Sequence, residues 1–205
     1  MKLNLGHYLN EDYDSKGRFI SYWHQIHEVK ALGPRAVLEI GVGNKFFSKY
    51  LRDRGLKIVT LDIEGDLFPD IVGNVLALPF CNQSFDIVTC FELLEHLPYT
   101  HFYNSLKELK RVAKSHVLLS LPDVTTVYRI LIEMPRIRPI KLMVKHPFPR
   151  PFLHSYDGQH YWEIGKKNFS LEKIKKGIRL SGFKIIKTYR IFEYPYHRFF
   201  LLSSS

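Results

Sequence analysis

The run Ala36–Arg54, AVLEIGVGNKFFSKYLRDR, constrains the fold more than any other part of the chain. Ala36–Ile40 is an apolar run short enough for a buried strand. Gly41-Val42-Gly43 follows as a tight turn. Phe46, Phe47, Tyr50 and Leu51 then recur at helical spacing, with Lys49, Arg52 and Asp53 between them, which predicts a helix over 45–54. The order is strand, glycine turn, helix. Glycines in the turn let a backbone approach a ligand closely, and a helix N-terminus offers N–H groups to it.

The turn carries chemistry of its own. The dinucleotide fingerprint GxGxxG needs a third glycine where this chain has Phe46, and a large ring there opposes close packing around a pyrophosphate. Glu39, at the strand end, would repel a pyrophosphate and attract an ammonium or sulfonium group. A cationic ligand is the functional reading. The structural alternative is a plain β–α turn with Glu39 capping a loop.

A second acidic strand end is Asp62, in Lys57–Asp62, about twenty residues beyond the glycines, where doubly wound folds place a carboxylate on a ribose diol. Gly73–Phe80 and Ser84–Leu97 follow, the latter reading SFDIVTCFELLEHL. From Val37 to Asp123 the chain resembles the class I S-adenosylmethionine-dependent methyltransferases, and within them the methyltransferase type 11 family. The ordered motifs are specific for fold and cofactor and not for substrate.

The resemblance implies a Rossmann-like α/β fold: a seven-stranded, mostly parallel sheet, helices on both faces and an antiparallel C-terminal strand. It implies S-adenosylmethionine as cofactor. Gly41 and Gly43 would give backbone access to its methionyl portion, Glu39 would meet its ammonium, and Asp62 would accept the ribose hydroxyls. Ile63 would pack on the adenine. Asn74 stands where the family commonly has Asp reading the adenine amino group, and Val75 would offer its N–H to the ring. Phe91, with Cys90 and Glu92, ends a strand that faces the cofactor. One departure is Asn44-Lys45 where the family often has a third glycine; Asn tolerates left-handed geometry, so the turn still forms. Lys45 points to solvent or to the cofactor carboxylate.

The length of 205 residues suits one domain: 1–34 as N-terminal arm and helix, 35–205 as the methyltransferase domain. Tyr8 and Tyr13 lie in an arm that folds over the cofactor or packs on the sheet edge. Arg18–Leu32 reads as an amphipathic helix with Phe19, Trp23, Ile26 and Val29 in phase, stopped by Gly33-Pro34. Strands are predicted over 36–40, 57–62, 70–73, 85–90 and 116–121, and a helix over 101–114. Asn168–Gly182 reads as a helix capped by Ser170 and ended by Gly182, before strands in 183–192 and 199–202. The two cysteines, Cys81 and Cys90, form no metal-ligand pattern, so no metal is expected. No secretion signal or membrane-length apolar run is visible, and a cytoplasmic location is inferred.

Methyl transfer from a sulfonium needs an aligned nucleophile and exclusion of water; a hydroxyl or ammonium acceptor also needs a base. Candidate bases are His160, His96 and His154. His96 belongs to the family's Glu-His-Leu signature, where a structural role is common, and His160 sits in the polar, aromatic string Tyr156–Gly165. An insertion at about 124–155 carries Arg129, Arg136, Arg138, Lys141, Lys145 and Arg150 against the lone Glu133, interleaved with Ile130, Leu131, Met134, Leu142, Met143 and Phe148. It reads as a cap over the substrate pocket, suited to an anionic glycan or lipid-linked acceptor, or else as a dimer contact or solvated basic face. The net charge of +10 permits nucleic acid as a partner, but no RNA-binding module and no Asn-Pro-Pro-Tyr-like motif accompanies it. A nucleic-acid methyltransferase and a non-catalytic S-adenosylmethionine-binding protein remain the alternatives to a small-molecule methyltransferase, with oligomeric state undetermined.

Overall fold

The structure, a computed structural model, describes residues 5–8, 13–148 and 151–204. Strands β1 (Ala36–Ile40), β2 (Lys57–Asp62), β3 (Ile71–Val72), β4 (Phe85–Phe91), β5 (Ala113–Pro122), β8 (Lys184–Arg190) and β9 (His197–Ser203) form one sheet. Their order is β3-β2-β1-β4-β5-β9-β8. The first five are mutually parallel, and β9 runs antiparallel to both β5 and β8. This is the predicted α/β architecture, with an antiparallel terminal strand slotted between its neighbours.

The strands read as continuous apolar runs because both faces are covered. On one face Leu38, Ile40, Val88 and Cys90 pack with Leu106 and Leu109 of α4 (Phe102–Val112), Ile174 and Ile178 of α5 (Leu171–Leu180), and Trp162. On the other, Val37, Ile87 and Leu118 pack with Ile26 and Val29 of α2 (Lys16–Leu32) and Phe47 and Leu51 of α3 (Phe46–Arg52). The caps fall where expected: the Ser170 hydroxyl accepts from Lys173 N, and Gly33 ends α2 at φ 59° with its N–H on the Lys30 carbonyl.

Three local expectations are corrected. The helix predicted from Arg18 begins at Lys16, behind its Ser15 cap, as α2, and Leu5–Tyr8 of the arm forms a single helical turn, α1. Phe19 and Trp23 are exposed; α2 buries Tyr22, Gln25, Ile26 and Val29 instead, and Trp23 stacks on His27 with ring centroids 4.7 Å apart. The left-handed residue after the glycines is Lys45 (φ 63°). Asn44 serves otherwise, its side-chain oxygen accepting from Phe46 N (3.1 Å) and the Tyr22 hydroxyl (3.0 Å).

The insertion is a two-stranded antiparallel ribbon, β6 (Val127–Met134) and β7 (Ile137–Lys145), turning at Arg136 with φ 65°. Tyr128, Ile130 and Ile132 pair with Val144, Leu142 and Ile140, so one ribbon face is apolar throughout and exposed. Arg129 and Lys141, on the opposite face, bond the Phe192 and Glu193 carbonyls and the Glu193 carboxylate. Arg150 and Pro149, assigned to this segment from sequence, lie outside the described residues.

Where β5 ends, Asp123 is buried and holds the sheet's last turn. Its Oδ2 accepts from Arg198 Nε at 2.6 Å, its Oδ1 accepts from Thr125 N at 2.9 Å, and Arg190 lies 3.8 Å from the carboxylate. Removing the carboxylate leaves two guanidinium groups without their shared counter-charge. Asp123→Ala is expected to cost about 3–5 kcal/mol of unfolding free energy. Urea denaturation checks this; a loss below about 1 kcal/mol would show that the arginines are satisfied elsewhere.

Candidate active site

The carboxyl ends of β1, β2 and β4 open into a cleft of about 1100 Å³, mouth included. Its wall includes Glu39, Gly41, Gly43, Asp62, Ile63 and Phe91, with Tyr8 and Tyr13 from the arm, Tyr22 from α2, and Glu92, His96, His160 and His197 at the far end. Six of the residues singled out from sequence for the cofactor, and both leading histidine candidates, thus meet in one place.

Gly41 (φ 82°) and Gly43 (φ 49°) both adopt left-handed conformations, and a Cβ on Gly41 would come within 2.6 Å of Leu93 Cδ1. Asp62 ties this turn to β2: Oδ2 accepts from Val42 N at 2.9 Å and Oδ1 from Glu64 N at 2.9 Å. Each oxygen keeps acceptor capacity beyond that one bond, so the carboxylate can shape the turn and still receive hydroxyls. Lys45 turns outward, its Nζ on the Phe68 carbonyl at 2.8 Å. Helix α3 is short, and its Phe46 N–H is taken by Asn44, so the turn and not the helix end presents the backbone.

Glu39 is 3% exposed, and its Oε2 has no hydrogen-bond partner. Burial pushes its carboxyl up to about 8, with the Ser48 hydroxyl and the Arg52 charge opposing in part. A buried carboxyl oxygen without a partner, facing a cleft beside two left-handed glycines, fits a ligand ammonium. Asn74 and Val75 do not join this wall. Asn74 is exposed with its oxygen closing a local turn on Leu76 N (2.9 Å), and Val75 is packed in the core. Ile63, 62% exposed at the rim, is available to a flat ring.

The far end was not legible from sequence as a unit. Glu92, just past β4, holds φ 47°, uncommon for a non-glycine residue, while its N–H reaches the Ser120 carbonyl at 3.1 Å. Its Oε1 is buried without a partner, and burial raises its pKa. His197 Nε2 lies 3.6 Å from Glu92 Oε2, and its Nδ1 is 2.7 Å from the Ser21 hydroxyl. Burial, with the Arg18 charge, takes His197 down to about 3, so it is neutral. His160 Nδ1 faces Glu163 Oε1 at 3.0 Å, where the Tyr196 hydroxyl also donates at 2.6 Å. His96 Nδ1 donates to the Gln159 carbonyl at 3.0 Å. His154 is not in the wall; its Nε2 bonds the His160 carbonyl at 2.8 Å. No ribbon residue from 127 to 145 lines the cleft, so the ribbon stands beside it, anchored on the 192–193 loop.

Residues 38–121 match the family described as "Methyltransferase domain". The matched stretch, which holds Gly41, Gly43, Asp62 and Glu92, is similar to that family. An uncharacterised protein of Methanocaldococcus jannaschii is 33% identical over 86 residues, covering 38% of this chain and 36% of its own length, so the chain spans about a third of that relative. Solved structures share the fold over nearly all of this chain. A Pyrococcus horikoshii protein superposes with TM-score 0.62 at 15% identity, covering 94% of this chain and 93% of its own. The Burkholderia thailandensis 1,6-didemethyltoxoflavin-N1-methyltransferase, solved with S-adenosylhomocysteine, gives 0.62 at 13%, covering 93% and 78%. The magnesium protoporphyrin IX methyltransferase of Synechocystis PCC 6803, also with S-adenosylhomocysteine, gives 0.62 at 17%, covering 92% and 84%.

The state of Glu39 makes a testable demand on this cleft. Without ligand its carboxyl holds a proton at neutral pH; an ammonium partner requires the carboxylate. Binding of S-adenosylmethionine at pH 7 should therefore release close to one proton, read as a dependence of calorimetric enthalpy on buffer ionisation enthalpy. Glu39→Gln should abolish that release and weaken binding by about 1–3 kcal/mol. The raised pKa also carries a stability sign. The group's contribution is complete below the ordinary value of 4.5 and is lost as pH rises toward about 8, because the unfolded carboxyl ionises first. Ligand-free Glu39→Gln should thus melt above wild type at pH 8 and nearer to it at pH 5. Equal proton release in both proteins would remove Glu39 from the ligand.

Proposed function

We propose that this chain transfers a methyl group from S-adenosylmethionine to a small or carrier-bound acceptor. The observation that carries the reading is Glu39: a buried, unpartnered carboxyl oxygen in the cleft wall beside Gly41 and Gly43. Glu39 would hold the ammonium, the glycine turn the methionyl end, Asp62 the ribose, and Ile63 and Phe91 the purine. When bound, the cofactor supplies an electrophilic methyl group on a sulfonium with a good leaving group.

The chain's own residues do the rest. Tyr8, Tyr13 and Tyr22 close the arm over the turn: the Tyr8 and Tyr13 rings meet edge-on at 5.1 Å, and Arg18 lies over Tyr13 at 3.9 Å. That closure excludes water and fixes the acceptor's approach. Glu92 is the group we assign to proton removal. Its raised pKa suits a base working near neutrality, and His197, held by Ser21 and neutral, adds no charge beside it. His96 and His160, fixed through Nδ1, line the acceptor end of the cleft.

Small acceptors are favoured by the relatives whose names state one, a didemethyltoxoflavin and a metalloporphyrin among them. An anionic, partly apolar acceptor, such as a glycan or lipid-linked intermediate, is favoured by the ribbon. Its apolar face, Tyr128 to Val144, stands exposed beside Arg136, Arg138 and Lys145. A long acceptor reaching from the cleft would meet that face.

The test is transfer of labelled methyl from S-adenosylmethionine to fractionated small-molecule and lipid extracts. Wild type should label an extractable acceptor. Glu92→Gln should keep cofactor affinity within about twofold while lowering kcat by roughly 10²–10⁴. An unchanged kcat would take Glu92 out of the chemistry, and label found only in nucleic acid would overturn the acceptor class.

A further inference from the structure

Below the acceptor end of the cleft, one ligand atom each from Glu95, His96 and His160 lies within 4.8 Å of the other two. We propose that these three side chains form a binding site for a divalent first-row transition metal ion. The inference goes beyond methyl transfer and does not require it.

Two imidazoles and one carboxylate suit zinc, iron, cobalt or manganese and are poor for an alkali metal ion. Each histidine is prepared for a metal by its other nitrogen. His96 Nδ1 faces a carbonyl, which can only accept, so the proton sits on Nδ1. Glu163 fixes His160 in the same way at 3.0 Å, with the Tyr196 hydroxyl and Lys166 holding the carboxylate in turn. The lone pair is thereby placed on Nε2 in both rings, the arrangement found around metal-bound histidine. The rings meet at 68° with centroids 4.9 Å apart, so they converge without stacking.

Glu95 points to a ligand independently. It is 0% exposed, and neither carboxyl oxygen has a hydrogen-bond partner. Burying a carboxyl with both oxygens unpaired is costly, and native structures rarely tolerate it without a ligand. Glu92 Oε1, nearby in sequence and on the same cleft wall, is unpaired as well. A divalent ion relieves all of these at once, pairing Glu95 and screening its neighbours.

The position gives the site a use. His96 and His160 line the cleft whereas Glu95 lies behind it, so an ion held by all three would leave coordination positions toward the acceptor. Three protein ligands with open positions distinguish a catalytic from a structural site. The ligand class for those positions is an oxygen donor: a phenol, an enol or a carboxylate. A hydroxyl bound there would lose its proton more easily, lightening the task of Glu92. The spacing of cysteines and histidines along the sequence hid the site, because His160 arrives from a distant loop.

The experiment uses the full chain, stripped with chelator and titrated with Co²⁺ and Zn²⁺. Wild type should retain about one Zn²⁺ per chain after gel filtration, measured by mass spectrometry, and show visible Co²⁺ bands shifted from those of the aqueous ion. Glu95→Gln and His160→Asn should each weaken Zn²⁺ binding at least about tenfold. His27→Ala, at the exposed stacked pair on α2, should change nothing. Circular dichroism establishes which variants fold, and the wild-type cobalt spectrum stands without them. A wild type that retains no zinc and leaves the cobalt spectrum aqueous would overturn the proposal. So would folded Glu95→Gln and His160→Asn proteins that bind Zn²⁺ as wild type does.

Discussion

The Asp62 carboxylate holds the ligand-facing end of this molecule together. It accepts from Val42 N and Glu64 N, each at 2.9 Å, and so ties the glycine turn after β1 to the end of β2. Without that tie the two left-handed glycines have no reason to keep their conformation, since glycine gains most from release. With it, the turn presents backbone to the cleft, and Glu39 is left beneath it with nowhere to go but the cleft. Parallel pairing of β1 with both β2 and β4 then brings Glu92 and its neighbours to the same edge. Ligands of open α/β sheets bind at this carboxyl edge for that topological reason.

Stability and function pull against each other here. Glu39 and Glu95 are buried and Glu92 is half-buried, and each has a buried carboxyl oxygen without a partner and a raised pKa. A fold selected only for stability would replace them with apolar or amide side chains. Their presence in and behind one cleft is intelligible if cationic ligands complete them: an ammonium at one end and, on the proposal above, a metal ion at the other. Asp123, by contrast, is buried with Arg198 in full contact and serves the sheet.

Much of this was legible in the residues. Ala36–Arg54 announced strand, turn and helix because apolar spacing and glycine placement are local signals. Ser170 and Gly33 marked helix ends for the same reason. What escaped was set by tertiary context. Phe19 and Trp23 fit the helical phase of α2, yet α2 turns Tyr22 and Gln25 inward, because Tyr22 bonds Asn44 and stacks on Phe46. Asn74 matched a motif position, but its oxygen closes its own turn. The apolar and basic alternation of the insertion satisfied its backbone by pairing with itself, producing a ribbon beside the cleft. The Ser21–His197–Glu92 chain joins α2, β9 and the end of β4, and no spacing rule links residues so far apart.

The central claim is that the cleft at the glycine turn takes a sulfonium-bearing cofactor and rejects a dinucleotide. Isothermal titration of the full chain with S-adenosylmethionine, S-adenosylhomocysteine and NAD tests it most directly. Both adenosyl ligands should bind with one site per chain, and NAD should give no saturable heat. Saturable NAD binding without binding of either adenosyl ligand would contradict the account.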